Sequence, residues 1–416
     1  MTQGQLQDVI VIGAGIIGVS VALALQRAGR QVLLIDRDEP GAAASRANAG
    51  AFAFSDVTPL ATPGILRAAP KWLFDPTGPL SIPPAYLPAI APWLLRFWRA
   101  SWKDRFPALM AAQAALMALA REAVERQITA TRGEPLLLRQ GQLRLYQGAC
   151  AAAAGRAYRD TCRSHGIGCA LLDSPAAIAE IQPGLSPQFT HAAHTPDWIN
   201  TRDPLAWLRH LHATFLARGG RFLTAEARAL QPDALGVTVR GASGPLTAGH
   251  VVLAAGAWSR PLARTLGDRL PLETERGYNT TLPAGAFDLR THLTFADHGF
   301  VVSRAGGGIR VGGAVELGGL QRPPDYRRAR VMLRKAARFM PGLATEGGSE
   351  WMGFRPSMPD SLPVIGPSPR CPRVIHAFGH GHLGLTQAAA TAEIVRDLIA
   401  DCPPEIDIGA FSPRRF

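Results

Sequence analysis

A glycine-rich turn near the start of the chain constrains its fold more than any other feature. The run Asp8–Ile12 is apolar after its first residue, it leads directly into Gly13-Ala14-Gly15-Ile16-Ile17-Gly18, and a helical pattern follows over Ile16–Ala28. Glycines at this spacing let the backbone approach a pyrophosphate closely, and the helix N-terminus offers it unpaired N–H groups. The pattern predicts a dinucleotide site with contacts from Gly13, Gly15, Ile16, Ile17 and Gly18.

An acidic residue ends the next predicted strand. This strand is Gln31–Asp36, and Asp36 lies eighteen residues after Gly18. In a dinucleotide-binding unit, an acid in this place accepts hydrogen bonds from ribose hydroxyls. We therefore expect Asp36, with Arg37 beside it, to contact the cofactor.

A second glycine-rich turn lies near the other end of the chain. Gly379-His380-Gly381-His382-Leu383-Gly384 follows a predicted strand, Arg373–Phe378, and a helix runs from Thr386 to about Ala400. Two such turns in one chain favour a long cofactor held at both ends, and FAD is the candidate. At a flavin ring, the positive helix N-terminus would stabilise the negative charge of the reduced form.

Two stretches of small residues are candidates for further cofactor contact. Ala42–Gly50 has neither a helical nor a strand period, so it is either backbone shaped to lie against a ligand or a plain surface loop. Val251–Ser259 is an apolar strand that runs into a small-residue turn, and Gly256 and Trp258 in this turn are expected to pass close to the cofactor.

The order of the segments predicts an α/β fold with two interleaved domains. A nucleotide-binding unit is followed by an insertion, by return strands, by a second β-rich insertion over 272–316, and by a final return at the second turn. We predict a Rossmann-like FAD-binding domain and a β-rich α+β substrate domain. The expected bounds are 1–60, 200–262 and 358–416 for the first domain, and 61–199 and 263–357 for the second.

Arginine dominates the charge of the chain. The formal net charge is +12, and only Lys71, Lys103 and Lys335 among the 44 basic residues are lysine. The excess has two interpretations: a codon bias, or an attraction to anionic lipid or an acidic substrate. Nucleic acid is not predicted as a partner, because no basic run is interleaved with aromatic residues.

Cysteine usage and hydropathy bear on location. Five widely spaced cysteines form no CxxC pair, which favours a reducing compartment over disulfides or structural zinc. The apolar stretch Val9–Leu25 lacks the positive flank of a signal peptide, and no uninterrupted apolar run predicts a spanning helix. We expect a cytoplasmic protein, either free or peripheral at the inner face of the cell membrane.

A Trp- and Pro-rich segment leaves two interpretations open. Trp93–Trp102 mixes aromatic and arginine residues at roughly helical spacing. It is either a helix packed on the core or an interfacial segment whose arginines meet lipid headgroups. The candidate membrane contact covers residues 71–106.

The chain resembles the D-amino acid dehydrogenase group of the FAD-dependent amine oxidoreductases. The resemblance spans the whole chain in the same order, so it is specific for the family and not for a substrate. It rests on these motifs: Ser45-Arg-Ala-Asn48-Ala-Gly50, Glu275-Arg-Gly277-Tyr278, Arg310-Val-Gly-Gly313-Ala-Val-Glu316, Gly353-Phe-Arg355-Pro-Ser-Met-Pro-Asp360-Ser-Leu-Pro-Val-Ile-Gly366-Pro, and the second glycine-rich turn.

The resemblance implies roles for individual residues. Arg355 would pair with the substrate carboxylate, for which its bidentate fork is suited. Tyr278 would line the substrate pocket and share that carboxylate. The remaining implied contacts are with the cofactor: Ser45, Asn48, Ala49 and Gly50 along the pyrophosphate and flavin, Ala227 at the adenine, and His382, Leu383, Gly384 and Thr386, next to Gly381, at the flavin pyrimidine.

The reaction implied by the resemblance is oxidation of a D-amino acid by hydride transfer from its Cα to flavin N5. The product is an imine or oxo acid, and the electrons pass to a quinone or another carrier. Two alternatives stay open: an oxidase that uses dioxygen and makes hydrogen peroxide, and a flavin-loaded subunit of a larger complex. The protein's task is to orient the substrate and tune charge, since the chemistry belongs to the cofactor.

The second turn also bears on the substrate and on bound groups. Its His380-Gly-His382-Leu form is nearer to members that act on cyclic imino acids such as hydroxyproline, which favours a cyclic substrate. No metal site is predicted there, because no carboxylate or cysteine clusters beside the two histidines. No flavin-linking motif is recognisable, so non-covalent FAD is expected.

Overall fold

A computed structural model describes residues 6–65, 78, 80–242 and 244–416 of the chain. Trp72 and Lys71 of the candidate membrane segment lie outside these residues. The α-helices of the described residues are α1 (Ile16–Arg27), α2 (Leu87–Ala100), α3 (Phe106–Thr131), α4 (Gly148–Ala154), α5 (Arg156–Ser164), α6 (Pro175–Ile181), α7 (Pro204–Ala217), α8 (Ser259–Thr265), α9 (Arg327–Phe339) and α10 (Gly384–Ile399).

Strands of these residues form three sheets. In chain order the strands are β1 (Gln7–Ile12), β2 (Val32–Asp36), β3 (Ala51–Phe52), β4 (Leu80–Ser81), β5 (Leu137–Leu138), β6 (Gln142–Tyr146), β7 (Ala170–Leu172), β8 (His191–Thr195), β9 (Ile199–Thr201), β10 (Arg221–Thr224), β11 (Ala227–Pro232), β12 (Val237–Gly241), β13 (Leu246–Leu253), β14 (Glu273–Leu282), β15 (His292–Phe295), β16 (Phe300–Ala305), β17 (Gly308–Glu316), β18 (Ser349–Ser357), β19 (Val364–Pro367) and β20 (Val374–Phe378).

The first sheet is built around parallel strands that are covered on both faces. β10, β2, β1, β13 and β20 lie side by side in that order and run parallel. Along β1, Val9 and Val11 pack into one apolar core and Ile10 and Ile12 into another. A strand buried on both faces needs apolar side chains in both directions, which explains the unbroken apolar run at this place. The predicted Rossmann-like unit is confirmed.

The second sheet has one apolar face and one polar face. Its strands follow the order β18, β14, β17, β16, β15, β6, β8 and β7, with β4 beside β17. Leu293, Phe295 and Phe300 pack with Phe339 of α9 into an apolar core on one face. The opposite face carries polar and small side chains and borders a cavity that extends to the first glycine-rich turn.

The two sheets draw their strands alternately from the sequence. Strands of the first come from 7–36, 221–253 and 364–378, and those of the second come from the stretches between them. The interleaved α/β arrangement is therefore confirmed, while the exact domain bounds at 60, 200, 262 and 358 stay a prediction. The small third sheet pairs β9 with β3 and β5, and so ties the segment after the first turn to the insertion.

We expect Gly18→Ala to disrupt the first turn. A Cβ at Gly18 would lie 1.8 Å from the carbonyl oxygen of Gly13, and backbone cannot move aside as a flexible side chain can. The substitution should lower the free energy of unfolding by about 1–3 kcal/mol, as overpacking does, and should reduce the flavin content of the purified protein. Denaturant unfolding and flavin absorbance measure both effects.

Gly168→Ala is the matched control for this substitution. The nearest atom to a Cβ at Gly168 is 3.7 Å away, which is an ordinary contact. Equal stability and equal flavin content in the two variants would contradict the close approach of helix and turn.

Candidate active site

The first glycine-rich turn joins β1 to α1 as the sequence predicts. Gly13 has φ +107°, and a Cβ there would lie 2.4 Å from the carbonyl oxygen of Ala254, so only glycine fits. Gly13, Gly15, Ile16 and Ile17 border the cavity, whereas Gly18 does not and instead allows close packing of the turn on the helix. The third glycine is thus a packing residue, as in other units of this kind.

Asp36 ends β2 and holds the turn in shape. Its Oδ2 atom accepts a hydrogen bond from the backbone N–H of Ala14 at 2.6 Å, and its Oδ1 atom accepts one from Asp38 at 3.1 Å. Both Asp36 and Arg37 border the cavity. The Arg37 guanidinium lies 4.1 Å from the ring centroid of Trp258, which is a cation–π contact. Trp258, which the sequence also predicted near the cofactor, therefore lies at the same end of the cavity as Asp36.

The other residues predicted at this end also meet there. Ala227 and Gly256 border the cavity beside Asp36 and Trp258. The four come from parts of the chain that are distant in sequence: Asp36 ends β2, Gly256 and Trp258 follow β13, and Ala227 begins β11.

The segment between the first turn and β3 is fixed by hydrogen bonds to helix α1, within the segment itself, and to the second sheet. Ser45 Oγ accepts a hydrogen bond from the Ile16 N–H at 2.9 Å, so this helix N-terminal donor is already engaged. Asn48 holds the loop from within, since its Oδ1 accepts from the Gly50 N–H at 2.7 Å and its Nδ2 donates to the Ser45 carbonyl. The sequence left two interpretations of Ala42–Gly50, backbone shaped to a ligand or a plain surface loop. In the structure this segment is an ordered wall of the cavity, and Ala49 and Gly50 line it.

Two polar residues of the second sheet complete the support of this segment. Arg310 Nη1 donates to the carbonyl oxygen of Asn48 at 2.7 Å, and Asn279 Nδ2 donates to that of Ala47 at 3.0 Å. Burial lowers the pKa of Arg310 to about 10. Neither side chain was among the predicted site residues. Each lies two residues from a glycine on the same strand, and this alternation could have indicated that it faces the cavity.

The second glycine-rich turn places its residues in two different ways. Gly381, His382, Leu383 and Gly384 border the cavity, but Thr386 does not. Thr386 is buried, and its Oγ1 accepts a hydrogen bond from the Ala53 N–H at 2.9 Å. Thr386 attaches α10 to the segment that follows the first turn, and its implied contact with the flavin stays a prediction.

Arg355 lies on the polar face of the second sheet. Its guanidinium occupies the space above Gly277, where a Cβ would lie 2.5 Å from Cζ, and Nη2 donates to the carbonyl oxygen of Gly313 at 3.2 Å. Burial lowers the pKa of Arg355, while Glu275 on the neighbouring strand opposes this. No described carboxylate comes within ion-pair distance of Arg355.

Tyr278 is oriented differently from the role implied for it. Residues along a strand alternate between faces, and Asn279 faces the cavity. The Tyr278 ring packs in the apolar core on the other face, and its hydroxyl donates to Glu316 and accepts from the Asp325 N–H. Tyr278 borders the cavity, but its hydroxyl is not free to share a carboxylate with Arg355, and that implied contact is corrected.

Histidines at the cavity are held neutral. Burial lowers the pKa of His382 to about 4, with Arg355 adding to the effect, and burial lowers the pKa of His292 to about 4. His380 is buried behind the turn, where its Nε2 contacts Thr391 Oγ1 at 2.9 Å. Among the described residues, no three His, Cys, Asp or Glu side chains lie together so as to hold a metal ion.

The cavity fits a long cofactor. It has a volume of about 700 Å³ and is continuous from Asp36 and Trp258 to His382, in the turn after β20, and to Arg355 of the second sheet. Donors at its walls, a glycine cradle that excludes any Cβ, and an acid at the end of β2 are what a dinucleotide needs.

The fold and the cavity define a dinucleotide-binding oxidoreductase with a second domain over one end of its cofactor site. The family described as FAD dependent oxidoreductase (DAO) matches residues 8–398. The chain belongs to this family and uses FAD.

Individual relatives match over nearly the whole chain. A D-amino-acid oxidase of Bradyrhizobium diazoefficiens is 34% identical, with 99% of each chain covered. D-amino acid dehydrogenase 2 of Ralstonia nicotianae is 32% identical, with 98% of this chain and 100% of the relative covered. The crystal structure of glycine oxidase from Geobacillus kaustophilus has the same fold, with a TM-score of 0.75 at 20% identity and 98% of each chain covered.

We expect the neutral histidines to make stability depend on pH. The pKa of His292 is lower in the folded chain than its ordinary value of 6.5, so the folded state binds fewer protons below that value. Stability is then fully present above about pH 6.5 and falls as pH is lowered toward 4, by about 2 kcal/mol for this residue at pH 5. His292→Gln should reduce the loss between pH 7.5 and pH 5 by that amount, measured by urea unfolding.

His165→Gln is the control, because His165 is exposed. Parallel stability profiles for wild type and His292→Gln would show that His292 is not buried as a neutral group.

Proposed function

We propose that this chain oxidises a D-amino acid, taking a hydride from its Cα. The observation that carries the proposal is Arg355, a cation on the wall of the FAD cavity with a backbone carbonyl as its acceptor and no described carboxylate as its partner. Glu275 acts on Arg355 only from beyond ion-pair distance. Burying a guanidinium without a directly bonded carboxylate is costly, and a substrate carboxylate would relieve that cost with a bidentate pair. Relatives named D-amino-acid oxidase and D-amino acid dehydrogenase support the substrate class.

The chain's own residues orient the substrate. FAD, held without a covalent bond, supplies when bound the hydride acceptor at its N5 atom. Arg355 would fix the carboxylate, and the Gly277 and Gly313 backbone beneath it leaves room for that contact. His382, whose pKa is lowered to about 4, is neutral near pH 7 and adds no competing positive charge. The two-histidine form of the turn favours a cyclic imino acid as substrate.

We expect Arg355→Lys to weaken substrate binding. An ammonium group keeps the charge but loses the planar fork, so one charge-assisted hydrogen bond is lost. The apparent KM for D-amino acids should rise, and kcat/KM should fall about 30- to 150-fold, which corresponds to about 2–3 kcal/mol. Anaerobic bleaching of the flavin by a panel of D- and L-amino acids, including proline analogues, measures the effect.

Flavin content should be unchanged in Arg355→Lys. Arg330→Lys is the control, since Arg330 pairs with Glu350 at the surface. Unchanged kinetics in Arg355→Lys would overturn the assignment of Arg355, and no bleaching by any D-amino acid would overturn the proposed function.

The electron acceptor that we propose is a quinone, reached through a membrane-facing surface around α2. This helix buries Ile90 and Trp93 but exposes Leu87, Leu95 and Trp98, and Trp102 is exposed just after it. One face of the helix packs on the core, and we propose that the opposite, exposed face is the interfacial surface. Arg96 on its exposed side and Lys103 beyond its end would meet anionic headgroups.

No helix of the described residues is long and apolar enough to cross a bilayer. Attachment would therefore rest on the exposed apolar side chains and the basic residues beside them. The alternative acceptor is dioxygen, which the relative named D-amino-acid oxidase favours.

We expect Leu95→Asp combined with Trp98→Asp to lower turnover with quinone in anionic vesicles severalfold. A carboxylate in place of an apolar side chain opposes insertion and repels anionic lipid. Turnover with a soluble dye should stay the same, because both positions lie at the surface. Leu235→Asp is the control, since Leu235 is the most exposed large apolar side chain described and belongs to another part of the fold.

If one hydrogen peroxide forms for each substrate oxidised in air, the electron acceptor is dioxygen and not a quinone. Equal vesicle-dependent turnover in all variants would contradict the membrane surface.

A further inference from the structure

A second pair of charged residues borders the cavity, apart from Arg355. Arg144 lies on β6 and Asp56 follows β3, and both line the same cavity. The mechanism described above uses neither of them.

Arg144 is held in place without its hydrogen-bond donors being used. Its guanidinium lies 4.6 Å from the ring centroid of Tyr158, and the Tyr158 hydroxyl is fixed by Ser55 Oγ at 2.8 Å and by Gln142 Nε2 at 3.1 Å. Among the described residues, no acceptor forms a hydrogen bond or ion pair with Arg144. A stacked guanidinium keeps its in-plane donors available for a ligand.

Asp56 faces the same space. Its carboxylate has no hydrogen-bond donor among the described side chains, although its carbonyl oxygen accepts from Gln113. Burial raises the pKa of Asp56, and the charge of Arg144 opposes this shift. The two charges thus act on each other without forming a direct ion pair among the described contacts.

The spacing suits the far end of a substrate held by Arg355. The Arg355 guanidinium reaches the Gly313 carbonyl on β17, and β16 and β15 separate β17 from β6. Three strand spacings amount to roughly 14 Å between the backbones, and the Arg144 side chain lines the same cavity as Arg355. The cavity wall between them is formed by Gly312 and Gly313 on β17, Val301 and Ser303 on β16, and His292 and Thr294 on β15.

Resting on the proposed function, we infer that Arg144 and Asp56 select a substrate whose side chain ends in a neutral group that both donates and accepts hydrogen bonds. A carboxamide or a hydroxyl can accept from Arg144 and donate to Asp56 at once. A carboxylate would be repelled by Asp56, and an ammonium group would be repelled by Arg144. An apolar end would leave both charges without a hydrogen-bond partner. Discrimination against an analogue that lacks the matching polar group is strong, because buried partners are then left without hydrogen bonds.

Four D-amino acids of similar length test this inference: D-glutamine, D-glutamate, D-lysine and D-norleucine. A ring pair, hydroxylated and unsubstituted D-proline, tests it for cyclic substrates. In the wild-type holoenzyme, kcat/KM from flavin bleaching should be at least tenfold higher for D-glutamine than for the other three, or for the hydroxylated ring than for the plain one.

Two variants should change the preference in opposite directions. Asp56→Asn leaves Arg144 alone and should shift the acyclic preference toward D-glutamate, whereas Arg144→Gln leaves Asp56 alone and should shift it toward D-lysine. For the ring pair, either variant should bring the ratio close to one. Arg163→Gln is the matched control, because Arg163 pairs with Asp160 on the exposed side of α5 and should leave the preference unchanged.

Bound-flavin absorbance shows whether each variant is folded. Bleaching without any preference, a preference for D-glutamate or D-lysine in the wild type, or the same ranking in both variants would overturn the inference and leave the proposed function standing. Absence of bleaching by every D-amino acid would overturn both.

Discussion

The contact that the rest of the site depends on is the support of one backbone segment by the second sheet on one side and by helix α1 on the other. The carbonyl oxygens of Ala47 and Asn48 accept hydrogen bonds from Asn279 and Arg310 of the second sheet. On its other side, Ser45 accepts from the first turn of α1. Because the segment is bonded on both sides, it fixes the distance between the dinucleotide turn and the polar face that carries Arg355.

Side chains alternate between the two faces of the second sheet, so each face has a different function. Side chains on one face pack on α9, and those on the other face border the cavity. Tyr278 and Asn279 are neighbours in sequence, yet one lies in the apolar core and the other supports the cofactor segment. The same alternation lets glycines on the cavity face make room for the long side chain of Arg355.

Much of the cofactor site could be predicted from sequence because it depends on local backbone geometry. The turn at Gly13–Gly18, the acid at Asp36 and the glycines at 381 and 384 each lie within a short strand–turn–helix pattern, and the structure brings them to one cavity. Thr386 and Tyr278 were harder, because the direction of a side chain depends on the element packed against it. The same holds for Arg144, Asp56 and Arg310, whose partners lie far away in the chain.

The sequence by itself determined a two-turn, interleaved α/β flavoprotein, since its apolar runs and glycine spacings are local and each permits few backbone conformations. Only the tertiary structure decided which polar side chains face the cavity. Arg355 and Arg144 are both arginines on strands. The motif around Arg355 marks it in the sequence, whereas nothing in the immediate neighbours of Arg144 distinguishes it from an arginine at the surface. Strand order and the face on which each residue lies place both guanidinium groups at one cavity without a described carboxylate as a hydrogen-bonded partner, and that lack of a partner gives them their proposed roles.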